Sequence, residues 1–83
     1  MELNERDREI LHFERSWWKA GASKERQITE RFGMSATRYY QILNELVDSP
    51  AALTEDPMLI RRLRRQRAAR QKQRAARRLG ITE

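Results

Sequence analysis

Apolar residues recur with a helical period along most of this chain. When positions are plotted at about 100° per residue, one stripe near the N-terminus contains Leu3, Ile10, Phe13 and Trp17, with Leu11 and Trp18 beside it. The stripe predicts a helix over about residues 5–20, begun by a capping box of Asn4 and Asp7 and ended by Gly21. Because adjacent tryptophans cannot both point inward, we expect Trp17 deep in the core and Trp18 at its margin.

The second pattern covers Glu25–Val47 and consists of two short apolar helical segments separated by a glycine. Ser23 and Ser35 are suited to cap helices over about 24–32 and 36–48, and Gly33 can adopt the positive φ that a sharp turn requires. This arrangement is typical of a helix-turn-helix. Its inward positions are Ile28, Phe32, Met34, Tyr39, Ile42, Leu43 and Leu46.

The segment from Ser49 to Asp56 is expected to be a connector, with Pro50 closing the third helix. Asp56 followed by Pro57 signals the start of another helix. Its first two turns carry apolar residues suited to pack on the core, namely Met58, Leu59, Ile60 and Leu63. We therefore predict an all-α fold, with a three-helix helix-turn-helix core domain over residues 1–56 and a long arginine-rich C-terminal helix over residues 57–83.

Composition excludes several classes of function. The 83 residues include no cysteine and one histidine, His12, so neither disulfides nor a familiar zinc site is expected. No cofactor is expected, and an enzyme is the least favoured reading because the carboxylates fall on solvated helical faces and no phosphate-binding glycine loop is present. The chain lacks a signal-peptide pattern and any apolar run of about 18 residues, so we expect a cytoplasmic protein with no membrane contact.

Charge is distributed unevenly along the chain. Residues 1–56 carry 8 Lys and Arg against 11 Asp and Glu, whereas residues 57–83 carry 10 Lys and Arg against one Glu. The net charge of +6 therefore comes from the C-terminal segment. Segregated positive charge of this kind favours a polyanionic partner, with nucleic acid the first candidate.

The outer face of the third helix is the candidate base-reading surface. Arginine can bind guanine through two hydrogen bonds, glutamine and asparagine can bind adenine in the same way, and a threonine methyl can contact thymine. No acidic residue precedes Glu45 on this helix. The candidates are Thr37, Arg38, Tyr40, Gln41 and Asn44.

The C-terminal helix provides the main candidates for phosphate binding. Basic side chains fall on every side of this helix, which argues against an amphipathic membrane helix and for electrostatic contact with a polyanion. Repulsion among these cations predicts partial helix in isolation and full helix on a polyanion. The candidates are Arg61, Arg62, Arg64, Arg65, Arg67, Arg70, Lys72, Arg74, Arg77 and Arg78.

A weaker cationic stripe lies on the polar side of the first helix. Arg8, His12, Arg15 and Lys19 follow one another at helical spacing. The three basic residues are further phosphate-binding candidates, since the helix before a helix-turn-helix can contact the DNA backbone. The alternative, a solvated face near Glu5 and Glu9, is favoured over phosphate contact, and His12 is expected to be passive.

Three stretches, ILHFERSWW, RFGMSATRYYQILNELVD and DPMLIRRLRRQRAARQKQRAARR, together resemble a family of small actinobacterial proteins catalogued only as a domain of unknown function. The resemblance covers nearly the whole chain. It implies a helical, DNA-binding-like domain from an actinobacterium or actinophage, and it transfers no ligand and no site residue.

These observations favour a double-stranded DNA-binding protein of the nucleoid, either a small transcriptional regulator or a nucleoid-associated protein. The alternatives are binding to RNA, including ribosomal RNA, and a protein-interaction module that docks on RNA polymerase. Binding as a homodimer stays open, because the candidate contacts Leu11, Trp18 and Met58 do not form a clear seam.

Overall fold

The computed structural model describes residues 2–77 and the backbone of Arg78. Within these residues the chain is all-helical, as predicted, and contains no strand. The last five residues of the predicted C-terminal helix lie outside the described range. The α-helices are α1 (Glu5–Ser16), α2 (Lys24–Phe32), α3 (Ala36–Val47), α4 (Pro50–Glu55) and α5 (Pro57–Arg78), and a 3₁₀ turn (Trp17–Ala20) follows α1.

Local hydrogen bonds explain where the first three helices begin. Asn4 and Asp7 form the predicted capping box, in which the Asp7 amide donates to Asn4 Oδ1 at 2.8 Å and the Asn4 amide to Asp7 Oδ2 at 3.3 Å. Ser23 accepts from the Arg26 amide at 3.2 Å, and Ser35 accepts from the Arg38 amide at 3.1 Å. The predicted serine caps are therefore confirmed.

A glycine with positive φ terminates α2. Gly33 has φ 64° and donates its amide to the Thr29 carbonyl at 3.0 Å. A side chain at this position would strain the backbone, although a Cβ there would meet no atom within 4 Å. The chain then needs only residues 33–35 to pass from α2 to α3.

The two tryptophans lie further out than predicted. Trp17 is only half-buried at the edge of the core, and Trp18 is 49% exposed. The prediction that Trp17 lies deep in the core is wrong because the α-helix ends at Ser16 and the next residues form a 3₁₀ turn. A 3₁₀ turn advances by about 120° per residue, so an α-helical projection misplaces both rings.

The predicted connector is also wrong, because residues 50–55 form α4. Ser49 caps this helix by accepting from the Ala52 amide at 3.3 Å, and Pro50 occupies the first turn, where its missing N–H costs nothing. Pro50 therefore begins a helix instead of closing one. Asp56 starts α5 as predicted, with Oδ1 accepting from the Leu59 amide at 3.2 Å.

All five helices contribute to one core. At its centre the rings of Phe13, Phe32 and Tyr39 contact one another, with centroids 5.5–5.8 Å apart. The first two turns of α5 complete this core. The buried apolar residues are Leu3, Ile10, Leu11, Phe13, Ile28, Tyr39, Ile42, Leu43, Leu46, Val47, Ala52, Leu59, Ile60 and Leu63. None of the helices described is long and apolar enough to span a bilayer.

Candidate nucleic-acid interface

The outer face of α3 is open to solvent. Tyr39 and Ile42 turn inward and are buried, which directs the intervening positions outward. All five predicted base-reading side chains are exposed, namely Thr37, Arg38, Tyr40, Gln41 and Asn44. The first nine residues of α3 contain no carboxylate, so this end of the helix can approach phosphates without repulsion.

Two arginines fasten α5 to the C-terminal end of α3. Arg64 donates from Nε to the Val47 carbonyl at 2.8 Å, where it satisfies a carbonyl that the helix end leaves free. Three residues later, Arg67 donates to Asn44 Oδ1 at 2.9 Å. These contacts hold the middle of α5 beside the C-terminal end of α3.

Arg67 also forms a two-pronged ion pair with Asp48. Its Nη2 lies 2.7 Å from Asp48 Oδ1 and its Nη1 lies 3.2 Å from Oδ2. The hydrogen bond from Arg67 holds the pKa of Asp48 below its usual range, and the same bond raises the pKa of Arg67. The pair is accessible to water, since the Asp48 side chain is 64% exposed.

A groove of about 590 Å³ separates α3 from the second half of α5. We call it the α3–α5 groove. Its wall on α5 is mainly basic and its wall on α3 is uncharged, and none of the described residues that line it is acidic. The lining residues are Thr37, Tyr40, Gln41, Leu43, Asn44, Val47, Leu63, Arg67, Arg70, Gln71 and Arg74.

The groove brings together residues that the sequence assigned to separate surfaces. Four of the five base-reading candidates share it with three phosphate-binding candidates, and only Arg38 lies outside it. The sequence could not show this, because it contains no information on how α5 is oriented against α3. Arg64, Arg67 and Asn44 are already hydrogen-bonded within the chain, so they differ from the free side chains that were expected.

The other basic side chains described on α5 lie outside the groove. Arg61, Arg65 and Lys72 are exposed and fall on the far side of the helix by its period. The Arg62 guanidinium lies 5.8 Å from the ring centroid of Trp18, within the range of a cation–π contact. Arg77 is exposed near the end of the described helix.

The cationic stripe of α1 is paired with acidic residues. Arg8 Nε lies 3.5 Å from Glu55 Oε1, and Arg15 Nε lies 3.2 Å from Asp56 Oδ2. His12 Nδ1 is 3.4 Å from Arg15 Nη2, and Lys19 is exposed on the 3₁₀ turn. Neutralisation of Arg8 and Arg15 by Glu55 and Asp56 favours the alternative, a solvated face.

A buried polar cluster links α1, α2 and α3, and the sequence analysis missed it. Glu14 is only 4% exposed. Its Oε2 accepts from the Tyr39 hydroxyl at 2.5 Å and lies 2.9 Å from Lys24 Nζ. Burial, followed by the Glu14 charge, raises the pKa of Tyr39 far above its usual value. The available signal was the place of Glu14 on the apolar stripe of α1, one turn after Ile10.

Two of the three candidate dimer contacts are exposed. Trp18 is 49% exposed and Met58 is 81% exposed. Leu11 is 2% exposed and packs in the chain's own core, so it cannot form part of a seam.

Comparison with known proteins identifies the family. The model of the family described as protein of unknown function (DUF3263) matches residues 2–75, and the chain therefore belongs to this family. No curated protein and no solved structure matches the chain.

Proposed function

We propose that this DUF3263 member binds double-stranded DNA, as a small transcriptional regulator or nucleoid-associated protein of the cytoplasm. In this proposal α2, the turn at Gly33 and α3 act as a helix-turn-helix, with α3 in the major groove. A connection of three or four residues that contains a glycine is typical of that motif. Here residues 33–35 connect the two helices, and Gly33 has the positive φ of a helix terminator.

The observation that carries the proposal is the position of α5 beside the open face of α3. An exposed helix with hydrogen-bonding side chains is common on protein surfaces and would mean little alone. Here that helix borders a second helix, α5, whose described residues include nine basic side chains and no acidic one. Phosphate contacts position a protein on DNA, and base contacts provide specificity. In this proposal α5 supplies the phosphate contacts and α3 supplies the base contacts.

A salt titration of the full chain tests the proposal. We expect the chain to bind random duplex DNA more tightly than structured RNA, with a slope of about −5 in log K against log salt if six arginines contact phosphate. Preference for RNA would favour the RNA-binding alternative. Absence of binding to either polymer at physiological salt would refute the proposal and make a protein partner the leading hypothesis.

The full chain is needed because α5 belongs to the core. Cutting the chain after Asp56 would remove the buried side chains of Leu59, Ile60 and Leu63. Each such side chain contributes about 1.5–3 kcal/mol to folding, and a domain of this size has only about 5–15 kcal/mol in total. Loss of binding in that truncation would therefore reflect unfolding.

Single substitutions test the division between base reading and backbone contact. We expect Gln41→Ala to change which sequences are selected from a random duplex library, because Gln41 can reach base edges. Arg70→Ala should weaken all duplexes about equally and reduce the salt slope by roughly one. Equal effects of both variants on selected and random duplexes would contradict this division.

A further inference from the structure

The width of the DNA major groove restricts how α3 and α5 can approach a duplex together. The major groove is about 12 Å wide, and an α-helix with its side chains is about 10–12 Å in diameter. Only one of two adjacent helices can therefore enter it. If α3 enters, α5 stays outside, and the sugar-phosphate backbone at the edge of the groove must pass between them.

We propose that the α3–α5 groove is the binding site for one phosphodiester strand of a DNA duplex. The inference rests on the proposed function and adds the path of the strand. Arg70 and Arg74 bind successive phosphates from one side, and the hydroxyls of Thr37 and Tyr40 donate to phosphate oxygens from the other. All four side chains line the groove.

The charge of the groove fits a polyanionic strand. None of the described residues that line it is acidic, and Arg67 is already paired with Asp48. Among the described side chains, Arg70 and Arg74 are therefore the cations of the groove that have no acidic partner. These two arginines are four residues apart, a rise of about 6 Å along the helix axis. One strand of a duplex carries a phosphate every 3.4 Å or so of the duplex axis. Because the strand winds around that axis, its successive phosphates are further apart than this axial spacing, so a strand that follows α5 presents phosphates to both arginines.

The strand position changes the assignment of the base-reading residues. Thr37 and Tyr40 lie on the groove wall and contact the backbone, and Asn44 is held by Arg67. Arg38 lies outside the groove on the free side of α3, and Gln41 lies at the border between the two surfaces. Base reading therefore falls to Arg38 and Gln41, and backbone contact to Thr37 and Tyr40.

Two matched pairs of arginines test the strand position. Arg70→Gln with Arg74→Gln removes two charges from the groove wall, and Arg61→Gln with Arg65→Gln removes two charges at the same spacing from the far side of α5. We expect the groove pair to weaken binding to a random duplex roughly tenfold at moderate salt and to reduce the salt slope by about two. The far-side pair should change affinity less than about twofold.

The possible results separate this inference from the proposed function. If both double substitutions weaken binding equally, all sides of α5 contribute equally to the attraction of DNA. The proposed strand position is then refuted, while DNA binding stands. If the unsubstituted chain binds no duplex, the proposed function itself fails. Helical content by circular dichroism checks that each variant is folded.

A second measurement does not depend on charge. Because the chain contains no cysteine, a single cysteine can be introduced and its protection by bound DNA measured. Gln71 lines the groove and Gln73 does not, although both are exposed and lie two residues apart on α5. With Gln71→Cys, we expect bound duplex DNA to slow maleimide alkylation of the introduced thiol severalfold. With Gln73→Cys, the rate should change little. Equal protection of both thiols, or protection at position 73 alone, would overturn the strand position.

Discussion

Two ion pairs contact the central helix α3, and they lie in opposite environments. On one side, Tyr39 of α3 contacts Glu14 of α1, which pairs with Lys24 of α2 in the protein interior. On the other side, Asp48 at the end of α3 pairs with Arg67 of α5 in contact with water. Both pairs have short contacts of 2.7–2.9 Å between charged atoms.

The contrast shows why short ion pairs have different consequences. A buried carboxylate without its partner retains a desolvated charge, which is costly, whereas an exposed one is rehydrated. The Glu14 cluster should therefore control whether the three-helix arrangement is stable. The Asp48–Arg67 pair should affect stability little and mainly control how much positive charge the α3–α5 groove presents.

The largest effect is expected from Lys24→Met. This substitution leaves Glu14 buried and unpaired, and we expect it to lower the free energy of unfolding by about 3 kcal/mol in urea denaturation. Lys19→Met, at an exposed lysine, should change it by less than about 0.5 kcal/mol. Adding Glu14→Gln to Lys24→Met should recover part of the loss. No recovery would show that packing of the lysine stem, and not the unpaired charge, is responsible.

A smaller effect is expected from Tyr39→Phe, together with a change in pH dependence. Loss of the hydrogen bond to a charged acceptor should cost about 2 kcal/mol at neutral pH. Because burial raises the pKa of Tyr39 in the folded state, its stabilising effect is complete below the unfolded-state pKa of about 10 and falls as the pH rises further. Urea titrations from pH 8 to about pH 11 should show this decline in the parent chain and less of it in Tyr39→Phe.

The control for this pH dependence is the neighbouring tyrosine. Tyr40 is exposed, so Tyr40→Phe should retain the decline in stability above pH 10 or so. An identical pH profile for the parent chain and Tyr39→Phe would contradict the role of the buried hydroxyl.

The smallest effect on stability is expected from Asp48→Asn. The urea midpoint should move far less than in Lys24→Met, because both members of the exposed pair are hydrated when separated. Duplex affinity should rise severalfold and the salt slope should steepen by about one as Arg67 becomes available to phosphate. Fluorescence anisotropy with a labelled random duplex measures both quantities.

Glu45→Gln is the matched control for the freeing of Arg67 in Asp48→Asn. It removes one exposed carboxylate from α3 without a contact to Arg67. An affinity gain of equal size in both variants would assign the effect to net charge. Weaker binding by Asp48→Asn would show that the ion pair is needed to hold α5 beside α3.

Much of the local structure could be predicted from residue types. The capping box at Asn4, the serine caps at Ser23 and Ser35, and the start of α5 at Asp56 depend on neighbours within three residues, and all are present. The same local reasoning failed at Pro50, where a helix was read as a connector. A proline that follows a capping residue is compatible with the end of one helix and with the beginning of the next. Packing of Ala52 in the core favours the beginning of a helix.

The candidate site was predictable as a set of residues but not as a surface. Exposure of Thr37, Arg38 and Gln41 follows from the period of α3, since their inward neighbours are large and apolar. Neutralisation of Arg8 and Arg15 by Glu55 and Asp56 did not follow from any spacing, because the partners lie more than forty residues apart along the chain.

The sequence by itself determined the all-helical class, most helix starts, the positive φ at Gly33 and the concentration of cations after Pro57, because these depend on periodicity, composition and neighbouring residues. Only the tertiary structure decided that Glu14 is buried with Lys24 and Tyr39, and that α5 lies beside α3 to form a groove. The physical reason is that both arrangements arise from side chains distant in sequence, which become neighbours only after the core has packed.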